Sequence, residues 1–154
     1  MKELMKKTII LIAVLIFTSC TERQIEPNII NFEVKNNLPI IKATINGKGV
    51  KLLVDSGASS SIIDYTLKDK LAFQTYNEDG GVTYNGIGGS TQGHSVTNLA
   101  LKYNDSILHV KFRAIYFKNV RNSLGVAGVL GSDYLLKNGL ILDYTNKQIR
   151  KPKI

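Results

Sequence analysis

The sequence holds one cysteine, two histidines, three prolines and no tryptophan in 154 residues, and each scarcity closes off a class of explanation. One Cys permits no internal disulfide, so the fold must hold by its core alone. His94 and His109 stand singly, without a partner at metal-ligand spacing. Neither builds a zinc site; both read as surface or strand residues, and no metal or cofactor is expected. Ser59, Ser60 and Ser61 run together, yet no Gly-x-Ser-x-Gly elbow exposes a nucleophile. The glycines of 86–93 lack the Gly-Lys-Ser/Thr ending and following helix of a phosphate loop. The apolar run from Ile9 to Phe17 is too short to span a bilayer. Basic residues outnumber acidic ones by 20 to 12, for a net charge of +8. Residues 1 to 19 hold three Lys and one Glu of these, which leaves 17 against 11, or +6, on the remainder. Apart from Lys147, Arg150, Lys151 and Lys153 that excess is scattered, with no basic helix or aromatic platform, so no nucleic-acid partner is expected.

What is present begins with Lys2, Lys6 and Lys7, the apolar run and then Thr18-Ser19-Cys20, the three-part layout of an export signal. Small residues just before the only Cys resemble the bacterial lipobox, in which the Cys becomes the lipidated first residue of the mature protein. Phe17 departs from the Leu or Val usual three positions before that Cys, which keeps cleavage by an ordinary signal peptidase open. The expected division is an export signal over 1–19, a tether over 20–28 and one folded domain over 29–154. A lipid on Cys20 would anchor that domain to a membrane of the bacterial cell envelope, on the periplasmic or outer-surface side.

From Ile29 onward the pattern is one of strands. Ile29–Lys35 and Leu38–Ile45 alternate, with turns at Asn36-Asn37 and at 46–49. Leu52-Leu53-Val54 is a buried strand that ends on Asp55-Ser56-Gly57-Ala58. Ser60–Asp64 resumes as a short strand, and Tyr65–Leu71 has the composition for one or two helical turns. A long hairpin follows, with arms near 82–85 and 91–103 and a glycine-rich tip. Ile107–Phe117 is the next strand, Asn119–Gly125 a loop, and Val126–Leu130 a return to the core. Ser132 or Asp133 is placed to cap a short helix through Lys137, stopped by Asn138-Gly139, before a closing hairpin around Thr145-Asn146. Strands at short spacing argue a small closed β barrel.

Asp55 stands at the end of an apolar strand, beside a glycine that permits close approach. Turn duty alone would explain an Asp-Ser-Gly. Its surroundings say more. Leu52 to Ala58 resembles the active-site loop of the aspartic peptidases, in which apolar residues precede Asp-Thr/Ser-Gly-Ala/Ser. Gly128-Val129-Leu130-Gly131 resembles that family's apolar-apolar-Gly segment, which precedes its one helix near the C-terminus. Asn85-Gly86-Ile87-Gly88-Gly89 resembles the tip of its flap. One Asp-Ser-Gly per chain places the likeness in the retropepsin-like branch, over roughly Ile40 to Ile149.

That resemblance implies a mainly β, retropepsin-like barrel and an aspartic endopeptidase acting on peptide or protein substrates. Asp55 is the implied catalytic residue, paired with its copy across a homodimer to activate water. Ser56 is implied to bond across to the neighbouring loop, Gly57 to leave room for substrate, and Ala58 to complete the loop. Gly86, Ile87, Gly88 and Gly89 are implied to close over the peptide. Asp64, Asp133 and Asp143 also lie near apolar segments, but none precedes Ser/Thr-Gly, and cap or turn duty explains them more simply. The competing reading is a non-catalytic lipoprotein module of the same fold that holds a peptide partner by strand addition.

Overall fold

The computed structural model describes residues 29–86, 89–116 and 118–153. The elements are β1 (Ile29–Asn31), β2 (Glu33–Lys35), β3 (Leu38–Ile45), β4 (Lys48–Asp55) and β5 (Ile62–Asp64). A 3-10 turn over Tyr65–Leu67 then leads into α1 (Lys68–Leu71). There follow β6 (Tyr76–Gly86), β7 (Gly89–Tyr103), β8 (Ser106–Ile115), α2 (Lys118–Leu124), β9 (Gly128–Gly131), α3 (Ser132–Lys137), β10 (Ile141–Asp143) and β11 (Gln148–Arg150). The export signal, the tether and Cys20 lie outside the described residues, as do Ile87 and Gly88 of the hairpin tip.

Eight strands pair in the order β2-β3-β4-β9-β5-β8-β7-β6, and β3 pairs again with β7. That second pairing, Thr44 opposite Lys102 and Ile45 opposite Leu101, closes β3-β4-β9-β5-β8-β7 into a six-stranded barrel. Closure leaves no free edge among those strands. The turns are built by Asn, which tolerates the left-handed region. Asn36 and Asn37 (φ 52 and 63), then Asn46 and Gly47 (φ 48 and 75), supply two consecutive positive-φ residues each, the requirement of a tight hairpin.

Inside, Ile41, Leu52, Ile63, Leu101, Leu108, Phe112 and Leu130 are fully covered. Side chains of this kind stabilise by about 1.5–3 kcal/mol each when taken from water. A smaller cluster of Ile40, Leu53, Val126 and Val129 covers the other face of β4 and β9. Both faces of β4 are therefore buried, which is why Leu52-Leu53-Val54 is continuously apolar instead of alternating.

Three expectations need correction. Ile29–Lys35 is not one strand: the chain divides at Phe32, whose N–H donates to the Lys147 carbonyl (3.0 Å) and whose ring meets Tyr144 edge-on. As a result β1 joins β11 and β10 in a separate three-stranded sheet, while β2 stays on β3. The stretch 119–125 is not a loop but lies almost wholly in α2. Arg121 ties that helix to the barrel through Asp64, and Gly125 (φ +71) ends it by donating to the Arg121 carbonyl (2.7 Å). Lastly, neither Ser132 nor Asp133 is the cap of α3, because Gly131 holds the N-cap position. At the other end the expected stop is found: Gly139 (φ +60) and Leu140 donate back to the Leu136 and Leu135 carbonyls.

Candidate active site

Asp55 is the last residue of β4, and β4 runs parallel to β9 with Asp55 opposite Gly131. Two buried apolar strands thus end side by side, and their ends carry the loop 55–61 and helix α3. The Asp55 carboxylate is exposed, and its Oδ1 accepts from the Gly57 N–H at 2.8 Å. The Ala58 N–H donates to the Asp55 carbonyl (3.2 Å), so the loop turns tightly about the carboxylate. Ser56 is exposed beside it and makes no side-chain hydrogen bond among the described residues.

The loop is held from the far side by the segment 131–133. The Ala58 carbonyl accepts from the Ser132 N–H (2.8 Å) and from Ser132 Oγ (3.0 Å). Ser61, fully buried, donates its N–H to Asp133 Oδ2 (3.0 Å) and its hydroxyl to Asp133 Oδ1 (2.7 Å). Its oxygen in turn accepts from the Gly131 N–H at 3.0 Å. Asp133 Oδ1 also takes the Tyr134 N–H (2.8 Å). One side chain thus joins the end of the loop 55–61 to the start of α3.

Glycine at 131 is a packing requirement. A Cβ there would lie 2.7 Å from the Ser60 carbonyl carbon and 2.8 Å from the Ala58 carbonyl oxygen, distances that no backbone shift of ordinary size relieves. Gly128 meets the same constraint, since its Cβ would fall 2.1 Å from the Ile62 carbonyl oxygen. The apolar-apolar-Gly pattern therefore records where the loop after Asp55 crosses β9.

The other acids of the sequence reading have separate duties. Asp64 is fully buried at the start of the 3-10 turn, where Oδ1 accepts from the Thr66 N–H (3.0 Å) and Oγ1 (2.9 Å). Arg121 lies 3.1 Å from its other oxygen. Asp143 ends β10 and is depressed to about 2, first by the Asn146 side chain, then by the Asn146 N–H and Arg150. Glu33 is held below the usual carboxylate range chiefly by its bond to Lys42.

The stretch expected to form a flap lies on the hairpin of β6 and β7, with Gly86 opposite Gly89 and Asn85 opposite Ser90 at its last described pairs. Among the described residues, no three His, Cys, Asp or Glu side chains gather where a metal ion could bind. Sequence reasoning missed two parts of the site, the Ser61–Asp133 link and Ser132 as a donor to Ala58. Their one local signal is an acid placed immediately after Gly-Ser at the start of the helix.

A strand-borne Asp-Ser-Gly turn, crossed beneath by an apolar-apolar-Gly strand in a small closed barrel, is the architecture of the retropepsin-like acid proteases. The chain belongs to the aspartyl protease family, whose profile matches residues 41–134, more than half of the sequence. No curated protein matches it. Among solved structures it is similar to a retropepsin-like aspartic protease from Rickettsia conorii (20% identity, TM-score 0.54, covering 79% of this chain and 86% of that one). It is also similar to the EIAV protease solved with the inhibitor HBY-793 (19% identity, TM-score 0.51, covering 68% and 90%). The retroviral protease-like domain of Ddi1 from Leishmania major is a further likeness (16% identity, TM-score 0.50, covering 79% and 96%). At these identities the likenesses establish the fold.

Proposed function

We propose that the protein is an aspartic endopeptidase whose working unit is a homodimer, with Asp55 supplied once by each chain. The observation that carries this reading is the state of the carboxylates: Asp55 is exposed at a strand end and bonded within its own turn to the Gly57 N–H, while Asp64, Asp133 and Asp143 are each tied to side chains elsewhere in the fold. Peptide hydrolysis needs one ionised carboxylate to take a proton from water and one protonated carboxyl to polarise the scissile carbonyl. Two copies of Asp55 a few ångströms apart would share one proton and titrate as a pair, which places activity at mildly acidic pH. Ser56 would bond across the twofold axis, Gly57 would leave space for the peptide, and Gly86 to Gly89 would close over it and exclude water.

An apolar surface supports the pairing. Ile29 and Ile141 flank Arg150 in one cross-strand row of the β1-β11-β10 sheet, and both are about two-fifths exposed (44% and 39%). Leu136 of α3 and Tyr144 of the last turn are exposed as well. Exposed apolar residues at both edges of a small sheet suit association with a second copy. Lipid attachment at Cys20, with 20–28 as tether, would confine two chains to an envelope surface and raise their effective concentration.

Asp55→Asn should abolish peptide hydrolysis without unfolding the chain, and excess Asp55→Asn chains mixed with wild type should suppress activity through inactive heterodimers. Turnover by the variant, or constant activity per chain where sedimentation shows only monomer, would refute the shared site. Incorporation of a labelled fatty acid into wild type, and its loss in Cys20→Ser, tests the anchor; equal labelling of the two would sink it.

A further inference from the structure

Away from Asp55, an open groove of about 500 Å3 lies where α1 and α2 approach β3 and β4. Its floor is apolar, built from buried Val50, Leu71 and Ala127. Val50 and Lys51 stand four to five residues before Asp55 on the same strand, roughly 13 to 17 Å away at 3.3 Å per residue. The groove is therefore distinct from the carboxylate site.

Its rim is basic. Lys42 and Lys51 come from the sheet, Lys70 from α1 and Arg121 from α2, and no acidic residue lines the groove. Lys35 and Lys48 flank it, through bonds to the Leu124 and Lys70 carbonyls. Two acids touch this group: Glu33 bridges Lys42 and Lys51, and buried Asp64 pairs with Arg121. Six cations against two acids thus gather around an apolar floor. Lys70 makes no ion pair among the described residues.

We propose that this groove binds an acidic peptide segment, with apolar side chains seated on the floor and carboxylates on either side meeting the rim. The disposition of the charges selects that class of ligand. A fatty acid or a lone phosphate brings one centre of negative charge, for which cations at one end would suffice. Here they come from four elements, Lys42 on β3 and Lys51 opposite it on β4, Lys70 on α1 and Arg121 on α2. A membrane presents a plane, and a concave groove cannot lay its floor against one. A peptide supplies both separated anions and short apolar anchors, and electrostatic complementarity of this kind governs capture and specificity. The inference concerns binding and stands whether or not the carboxylate site cleaves peptides.

The test uses the full chain carrying Asp55→Asn, so that no probe is consumed, and a fluorescein-labelled peptide of roughly ten residues alternating Glu with Leu. Fluorescence anisotropy should show binding that weakens as salt is raised. Replacing every Glu by Gln, or every Leu by Ser, should weaken it about tenfold. Lys51→Glu with Lys70→Glu should have a comparable effect, since both residues are exposed and neither holds the core. The control Lys137→Glu with Lys153→Glu makes the same charge change elsewhere and should stay within about twofold of the parent. Equal binding of the Glu and Gln peptides would overturn the proposal. So would equal losses in the two charge-reversed variants, or co-sedimentation with phosphatidylglycerol vesicles in place of peptide binding.

Discussion

Replacement of Ser61 by Ala isolates the link that holds the active loop. Ser61 is fully buried, and its hydroxyl both accepts from the Gly131 N–H and donates to Asp133. Removing the oxygen leaves the Gly131 N–H buried without an acceptor, a loss of about 1–3 kcal/mol. Asp133 is exposed and keeps the Tyr134 N–H and the Ser61 N–H, so water can replace the missing donor and this side adds at most about 1 kcal/mol. The sum is about 1–4 kcal/mol, which for a domain of this length lowers the melting temperature by roughly 4–15 °C. Ser59→Ala supplies the control, since Ser59 is exposed two residues away and such a change should stay within about 0.5 kcal/mol of wild type. Denaturant unfolding of the purified variants reads both effects. If the shared-carboxylate mechanism holds, Ser61→Ala should also lower peptide turnover at temperatures where it remains folded, because a loop released by an ångström misplaces Asp55. A Ser61→Ala protein as stable as Ser59→Ala would refute the reasoning, because the Gly131 N–H would then have another partner.

Gly131→Ala should prevent soluble expression or cost more than about 3 kcal/mol, since the added methyl meets backbone atoms of Ser60 and Ala58, whereas Gly49→Ala, with open space around it, should unfold normally in the same denaturant series. Asp143→Asn tests the terminal hairpin through pH. Its folded-state carboxyl is depressed from 3.8 to about 2, so the stability it gives is fully present above 3.8 and is lost as pH falls through about 2. The gap in melting temperature between wild type and variant should thus be constant from neutral pH to 3.8 and close below it; a gap independent of pH across that window would show that the charge on Asp143 contributes nothing.

Much of the barrel is legible because local chemistry and long-range pairing agree. Asn36-Asn37 and Asn46-Gly47 announce hairpins by themselves, and Leu52-Leu53-Val54 announces a strand covered on both faces. The division at Phe32 is not legible, because the alternation of Ile30, Phe32 and Val34 fits one long strand. Only the Lys147 carbonyl, more than a hundred residues downstream, pulls the first half away. Helix α2 misleads for a similar reason: Asn119, Asn122 and Ser123 are turn formers, and its anchor is Asp64 in another part of the chain. Gly125 directly after Leu124 was the available sign of a helix stop.

The link between Ser61 and Asp133 bears on the chemistry as well as on the fold. In sequence, Asp133 is the acid nearest to the apolar-apolar-Gly segment, and so it is the first candidate for a second catalytic carboxyl within one chain. Its position removes it from that role. Both oxygens accept hydrogen bonds from Ser61, and one also accepts from Tyr134. A group that must begin the cycle protonated, and offer its proton to a carbonyl, is poorly served by partners that donate to it. Those bonds tie Asp133 to the loop that carries Asp55. Asp133 therefore serves the stability of the loop, and under the mechanism proposed above the second carboxyl would be Asp55 at the exposed end of β4 on a second copy of the chain.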